Sequence, residues 1–165
     1  MSRAFVKEGD GALEPLPDLP VSDRPNYVTA RGLAALKARL AALQAELSAL
    51  RARPERLDKL PEAAAERDIR YVEARLRSAI LIEPAPMPSA VGFATAVRVA
   101  DETGAERVYE ITGEDEADAA LGRIAPDAPL ARALIGAEIG DVVIWRRPAG
   151  DVELTVIAIA AIPAG

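Results

Sequence analysis

Glu55, Asp58 and Glu62 are three carboxylates close together in the chain. Oxygen donors of this kind suit magnesium, which takes hard ligands at ~2.0–2.1 Å. The three could hold that ion weakly. Arg56 and Lys59 lie among them, however, and the favoured reading is a solvated turn whose acids complement a helix N-terminus. A second acidic run, Glu114-Asp-Glu-Ala-Asp118, lacks the ligand spacing of a calcium loop and reads as a surface loop facing a basic partner. Arg67, Arg70, Arg75 and Arg77 could meet RNA or the acidic wall of a pore. Glu66, Asp68 and Glu73 are interleaved with them, which favours a salt-bridged helix face.

Much chemistry is excluded outright. The chain has no cysteine and no histidine. Disulfides, thiolate nucleophiles, the Ser-His-Asp triad and the usual transition-metal sites are therefore absent. A general base would have to be a carboxylate, lysine or tyrosine. No glycine-rich phosphate loop is present. Nothing in this inventory composes an enzyme, and no cofactor beyond weak magnesium at the tip is expected.

The elements that carry these residues are legible from spacing. Leu33, Leu36, Leu40, Leu43, Leu47 and Leu50 step alternately by three and four, the seam of a coiled coil. Ile69, Val72, Leu76 and Ala79 repeat the pattern after two prolines. The spacing predicts one helix over 30–53, capped by Thr29, and a second over 61–80, begun by Pro61. Folded back on each other, they form an antiparallel hairpin with Leu36 near Leu76, Leu40 near Val72, Leu43 near Ile69 and Leu47 near Ala65. Its tip then lies near Arg56, between Pro54 and Leu60. A seam satisfied within one chain implies a monomer.

Charge divides the chain in the same place. Residues 30–80 carry a net +4 and residues 84–165 a net −7, within an overall −6 over 165 residues. A mildly basic arm on an acidic body suggests two surfaces with different partners. Residues 1–28, rich in proline, read as a flexible tail. Ala4-Phe5-Val6 within it could dock weakly. The N-terminus lacks the apolar block of a secretion signal, and no apolar run approaches the ~18 residues of a membrane span. A cytoplasmic protein without membrane contact is expected.

Residues 83–88, with three prolines, form a stiff linker, so the arm occupies 29–82 and a second domain 83–165. That domain alternates like strands over 93–99 and 107–111, then over 142–146 and 152–159. Two hairpins result. Between them Pro129 opens a short helix that Gly136 ends. The predicted fold class is α+β: a coiled-coil helical hairpin followed by an antiparallel sheet with one short helix.

Several strings resemble one family. Pro129-Leu-Ala-Arg-Ala-Leu-Ile-Gly136 with Gly140-Asp141 is similar to a segment near the C-terminus of the GreA/GreB transcript-cleavage factors. Tyr109-Glu-Ile-Thr-Gly-Glu-Asp-Glu-Ala-Asp118 resembles the strand and acidic loop before it. Thr29-Ala-Arg-Gly32 and Leu76-Arg-Ser-Ala-Ile-Leu-Ile-Glu83 resemble the start and end of their hairpin. The likeness covers about 27–160. It implies an FKBP-like C-terminal domain and binding to bacterial RNA polymerase at its secondary channel. DNA and RNA would be met only within that complex. By position in the family string, Asp127, Pro129, Leu130 and Arg132 are the expected polymerase contacts.

The resemblance fails at the tip. The family's Gly-Asp-Leu-x-Glu-Asn-Ala-Glu-Tyr type of string, whose acids help hold a second magnesium ion in the polymerase, has no counterpart here. Roughly twenty hairpin residues are missing, or about 15 Å of reach at ~1.5 Å per residue in each helix. The arm is similar in length to that of the Rnk-type relatives. Ala128-Pro129 also stands where the family has Ser-Pro. The expectation is a secondary-channel regulator that does not stimulate transcript cleavage. The alternatives are a cleavage factor with a tip rebuilt from Glu55, Asp58 and Glu62, and a coiled-coil adaptor unrelated to polymerase.

Overall fold

The computed structural model describes residues 14–164. Thr29 caps helix α1, Ala30–Arg51, by accepting from the Gly32 amide at 2.9 Å. At ~1.5 Å per residue its 22 residues span about 33 Å. The helix stops two residues before the predicted end. Ala52 is the C-cap, and Arg53 folds its Nε back onto the Leu50 carbonyl at 3.1 Å. Helix α2, Leu60–Ser78, has proline in its first turn, as Pro61 predicts. The two helices pack on each other, and Leu36 and Val72 are buried between them. Leu33, Leu40, Leu43 and Leu76 pack around that pair.

The base of the hairpin differs from the expectation. Helix α2 ends at Ser78 rather than 80, and the chain continues as strand β2, Ala79–Leu81. It pairs in parallel with strand β1, Asn26–Val28, through Asn26↔Ala79, Tyr27↔Ile80 and Val28↔Leu81. Residues 26–28, expected within the flexible tail, are therefore a strand, with Asn26 and Val28 buried. Buried backbone must find partners, and these three residues find them across the pair. The proposed docking of Ala4-Phe5-Val6 lies outside the described residues.

The remainder is a curled sheet with a helix on it. Strands β3 (Thr95–Asp101), β4 (Glu106–Ile111), β5 (Arg123–Ile124), β6 (Val142–Trp145) and β7 (Val152–Ala161) take the order β5-β4-β3-β7-β6. Both predicted hairpins are present, β3 with β4 and β6 with β7, and β3 pairs antiparallel with β7 to join them. The sheet is not wholly antiparallel: β5 runs parallel to β4 through Glu110↔Arg123 and Ile111↔Ile124. Strand β3 starts two residues later than its alternation suggests, because Ala94 turns left-handed at φ 63°. Helix α3, Pro129–Leu134, places Leu130, Ala131 and Leu134 in the core with Val97, Val99, Ile111, Leu154 and Val156. The fold class is α+β, a helical hairpin followed by a sheet domain.

Candidate functional site

Three regions bear on function: the tip of the arm, the joint at its base, and the surface beside α3. At the tip, each expected carboxylate has its own position. Glu62 is buried and forked by Arg56, with Oε1 at 2.8 Å from Nε and Oε2 at 2.5 Å from Nη2. The hydrogen bond from Arg56 holds the Glu62 carboxyl below its usual range. Asp58 accepts from the Leu60 amide two residues on, at 2.9 Å, and so makes an Asx turn into α2. Glu55 is exposed. Among the described residues no three carboxylates stand close enough together to hold a metal ion. One of the three acids is neutralised by its arginine and one satisfies backbone, so the set does not fit a magnesium site. Leu57, at the tip, is almost fully exposed.

At the base the acidic run of residues 114–118 meets its basic partner, and that partner is the arm itself. Arg75 on α2 is buried and reaches Asp115 at 2.6 Å, Glu114 at 3.3 Å and the Asn26 side chain at 2.7 Å. Asn26 returns a bond to the Arg75 carbonyl at 2.8 Å. The Tyr71 hydroxyl donates to Asp115 at 2.6 Å. Burial first, then the bond to that carboxylate, pushes its phenol up to about 12. On α1, Arg31 bridges Glu116 at 2.6 Å and Glu110 at 2.5 Å, while Thr29 donates to Glu116 at 2.6 Å. Arg31 holds the Glu110 carboxyl below its ordinary value, with Arg123 adding to the effect. The arm is thereby clamped through both helices.

Close packing completes the joint. A Cβ on Gly113 would lie 2.5 Å from the Tyr27 carbonyl oxygen, and one on Gly32 would lie 2.7 Å from a Glu116 oxygen. Both glycines let backbone and side chains from the two parts approach closely. The Tyr27 and Phe93 rings meet at 5.9 Å and 56° across the same joint. None of these roles follows from the spacing of Arg31, Asn26 or Gly113 in the chain. For Arg31 the signal was the opposite charge of the two halves, whereas Asn26 and Gly113 carry none.

Of the other predicted arginines, Arg67 pairs with Asp68 at 2.6 Å, Arg70 pairs with Asp18 at 2.6 Å, and Arg77 is exposed. Interleaved acids thus account for Arg67. Arg70 turns instead to the N-terminal segment.

Beside α3, Asp127, Pro129 and Arg132 are exposed. Leu130 is not: it is 4% exposed and belongs to the core, so its side chain supports this surface from below. Asp127 is paired with Arg24, whose hydrogen bond lowers the carboxyl from its usual range. An open groove of about 610 Å³ runs from Ala128 and Pro129 to Tyr109 and Trp145 on the sheet, with Arg107, Arg146 and Arg147 along it. The Arg147 guanidinium lies 4.9 Å from the centre of the Trp145 ring. Such a mixture of aromatic, proline and arginine side chains suits a protein surface better than a small polar substrate. Among the described residues no helix is long and apolar enough to cross a membrane.

The family described as "Transcription elongation factor, GreA/GreB, C-term" matches residues 86–161. The GreA of Pseudomonas putida is 40% identical over 101 residues, which is 59% of this chain and 63% of that protein. The GreA of Yersinia pestis is 39% identical over 97 residues, 57% of this chain and 61% of its own length. The match therefore spans less than two thirds of these curated relatives. Among solved structures, Gfh1 of Thermus thermophilus aligns over 84% of this chain and 100% of its own, at 22% identity and a TM-score of 0.41. A GreA/GreB factor from Nitrosomonas europaea aligns over 82% and 98%, at 20% identity and the same TM-score of 0.41. The matched residues hold the sheet, α3 and the surface around Asp127, so residues 86–161 are a domain of the GreA/GreB C-terminal family.

Proposed function

We propose that this chain is a transcription elongation regulator that docks on bacterial RNA polymerase at the secondary channel and does not stimulate transcript cleavage. The observation that carries this reading is the closure of the arm. Helix α1 ends at Arg51 and α2 begins at Leu60, so the tip lies about 33 Å from the base at ~1.5 Å per residue. Two of its three acids are engaged within the chain, Glu62 by Arg56 and Asp58 by the Leu60 amide. A carboxylate must come within ~2.1 Å of magnesium to ligate it. Rotamer changes at a tip of this length cannot recover the roughly 15 Å lost relative to a full hairpin.

The docking surface in this reading is the exposed side of Asp127, Pro129 and Arg132, with Leu130 packed beneath and the Tyr109–Trp145 groove alongside. The arm would occupy part of the channel and alter access to it. The chain contributes no catalytic group of its own, so it acts as a binder rather than an enzyme. It meets nucleic acid only inside the polymerase, and it acts as a monomer because its seam is closed within one chain.

The test is retention on immobilised core RNA polymerase with and without a long-armed GreA as competitor. Retention that the competitor displaces is the expected result. No retention, or retention that excess GreA leaves unchanged, contradicts docking at that site.

A further inference from the structure

Residues 14–25 enter no helix or strand, yet they are laid along the molecule as a strap. The Leu16 carbonyl accepts from Arg70 Nη2 at 2.8 Å, and Asp18 accepts from Arg70 Nε at 2.6 Å. Leu19 and Val21 sit beside Tyr71 and Ala74 on α2. Ser22 donates to Glu114 at 3.0 Å. The strap then ends with Arg24 on Asp127, at the edge of the proposed docking surface. It therefore joins the middle of α2 to the start of α3.

The strap and the joint beneath it are held very differently. The Arg75 side chain is 1% exposed in its pair with Asp115. In the strap, Arg24 and Asp127 are 55% and 41% exposed, and Arg70 and Asp18 are 38% and 75% exposed. Exposed pairs hold weakly and are screened by salt, whereas buried ones are screened much less. The strap can lift while the arm stays clamped.

We infer that the strap is an autoinhibitory device: Arg24 covers Asp127, and a partner docking at α3 must displace it with a cation of its own. This rests on the docking reading above. Arg24 is a local competitor tied to the chain, so its effective concentration at Asp127 is high and independent of dilution. Polymerase binding then includes the cost of opening the strap. Any condition that releases the strap raises apparent affinity by the fraction of molecules it opens.

The test uses the full chain and core RNA polymerase. Arg24→Ala is expected to bind about two- to fivefold more tightly than the wild type, the range one exposed ion pair can supply. A second variant, S22C/E114C, places a cysteine pair in a chain that otherwise has none. Oxidised, it should bind more weakly than the same variant reduced, whose strap lacks the Ser22–Glu114 bond and is free to lift. Wild-type binding with an Arg24→Ala affinity equal or lower, or a locked strap that binds as well as a reduced one, overturns the inference and leaves the docking reading standing. No binding by any form overturns the docking reading, and the inference falls with it.

Discussion

Arg75 Nε lies 2.6 Å from Asp115 Oδ2, and the arginine side chain is 1% exposed. A guanidinium buried this deeply is tolerable only because Asp115, Glu114 and the Asn26 amide share its donors. The pair spans the arm and the sheet domain, so it sets where the arm points.

Removing Arg75 leaves Asp115 without its counter-charge and the Asn26 side chain with an unmet acceptor. Arg75→Ala should cost roughly 3 kcal/mol in urea unfolding, the low end for breaking a buried pair. Arg77→Ala, at an exposed arginine two residues on, should stay within about 0.5 kcal/mol of the wild type. Equal, small losses for both would show that the joint does not depend on the Arg75 network.

Gly113 tests the packing of the same joint. Its missing Cβ leaves room for the Tyr27 carbonyl, which a methyl group would approach to 2.5 Å. The contact is with backbone, so relief requires strand β1 to move. Gly113→Ala should destabilise by about 1–3 kcal/mol, as overpacking does. Gly92→Ala, with nothing within 4 Å of its Cβ, is the control and should not show that overpacking loss. The comparison of two thermal melts decides the matter.

Tyr71 gives the joint a signature at high pH. Its phenol is pushed up to about 12 by burial and by the bond to Asp115. The folded chain thus keeps a proton that the unfolded chain gives up near a phenol's ordinary 10.0. The stability from this bond is complete below that value and declines as pH rises from there toward 12. Phenolate absorbance should show a high-pH titration in the wild type that Tyr71→Phe removes and Asp115→Asn moves downward. A titration unmoved by Asp115→Asn would contradict the assigned hydrogen bond.

The seam predicts the state of the chain in solution. Leu36 and Val72 are buried in one cluster within a single molecule, so the seam is engaged inside the chain. Light scattering should give the 17.4 kDa of a single chain. A concentration-dependent dimer that dissociates on Val72→Asp would show that the seam is intermolecular.

What was legible in the chain depended on periodicity. The leucine steps placed α1 against α2, and Pro129 with Gly136 bounded α3, because heptads and helix ends leave local marks. Strands β1 and β2 left none. Three residues carry no usable alternation, and Ala79 and Ile80 simply continued the apolar pattern of α2. The two-residue β5 was too short to read, which is why its parallel pairing escaped. At the site, charge alone showed that residues 114–118 want a basic partner, but not that Arg31 and Arg75 of the same chain supply it. Leu130 came from a family position, which says nothing of which way a side chain faces. The burial of Ala131 and Leu134 with it shows the inward face of α3. The proline-rich segment was read as flexible because it buries little apolar surface. Ion pairs to Arg70 and Asp127, invisible in composition, lay it down.

Transcript cleavage in stalled, backtracked polymerase complexes tests the central claim most directly. The purified chain should bind these complexes and leave the rate of RNA cleavage at its intrinsic level, while a long-armed GreA in the same assay accelerates it. Strong acceleration by this chain, abolished by Asp58→Ala or Glu62→Ala, would contradict the short-arm account.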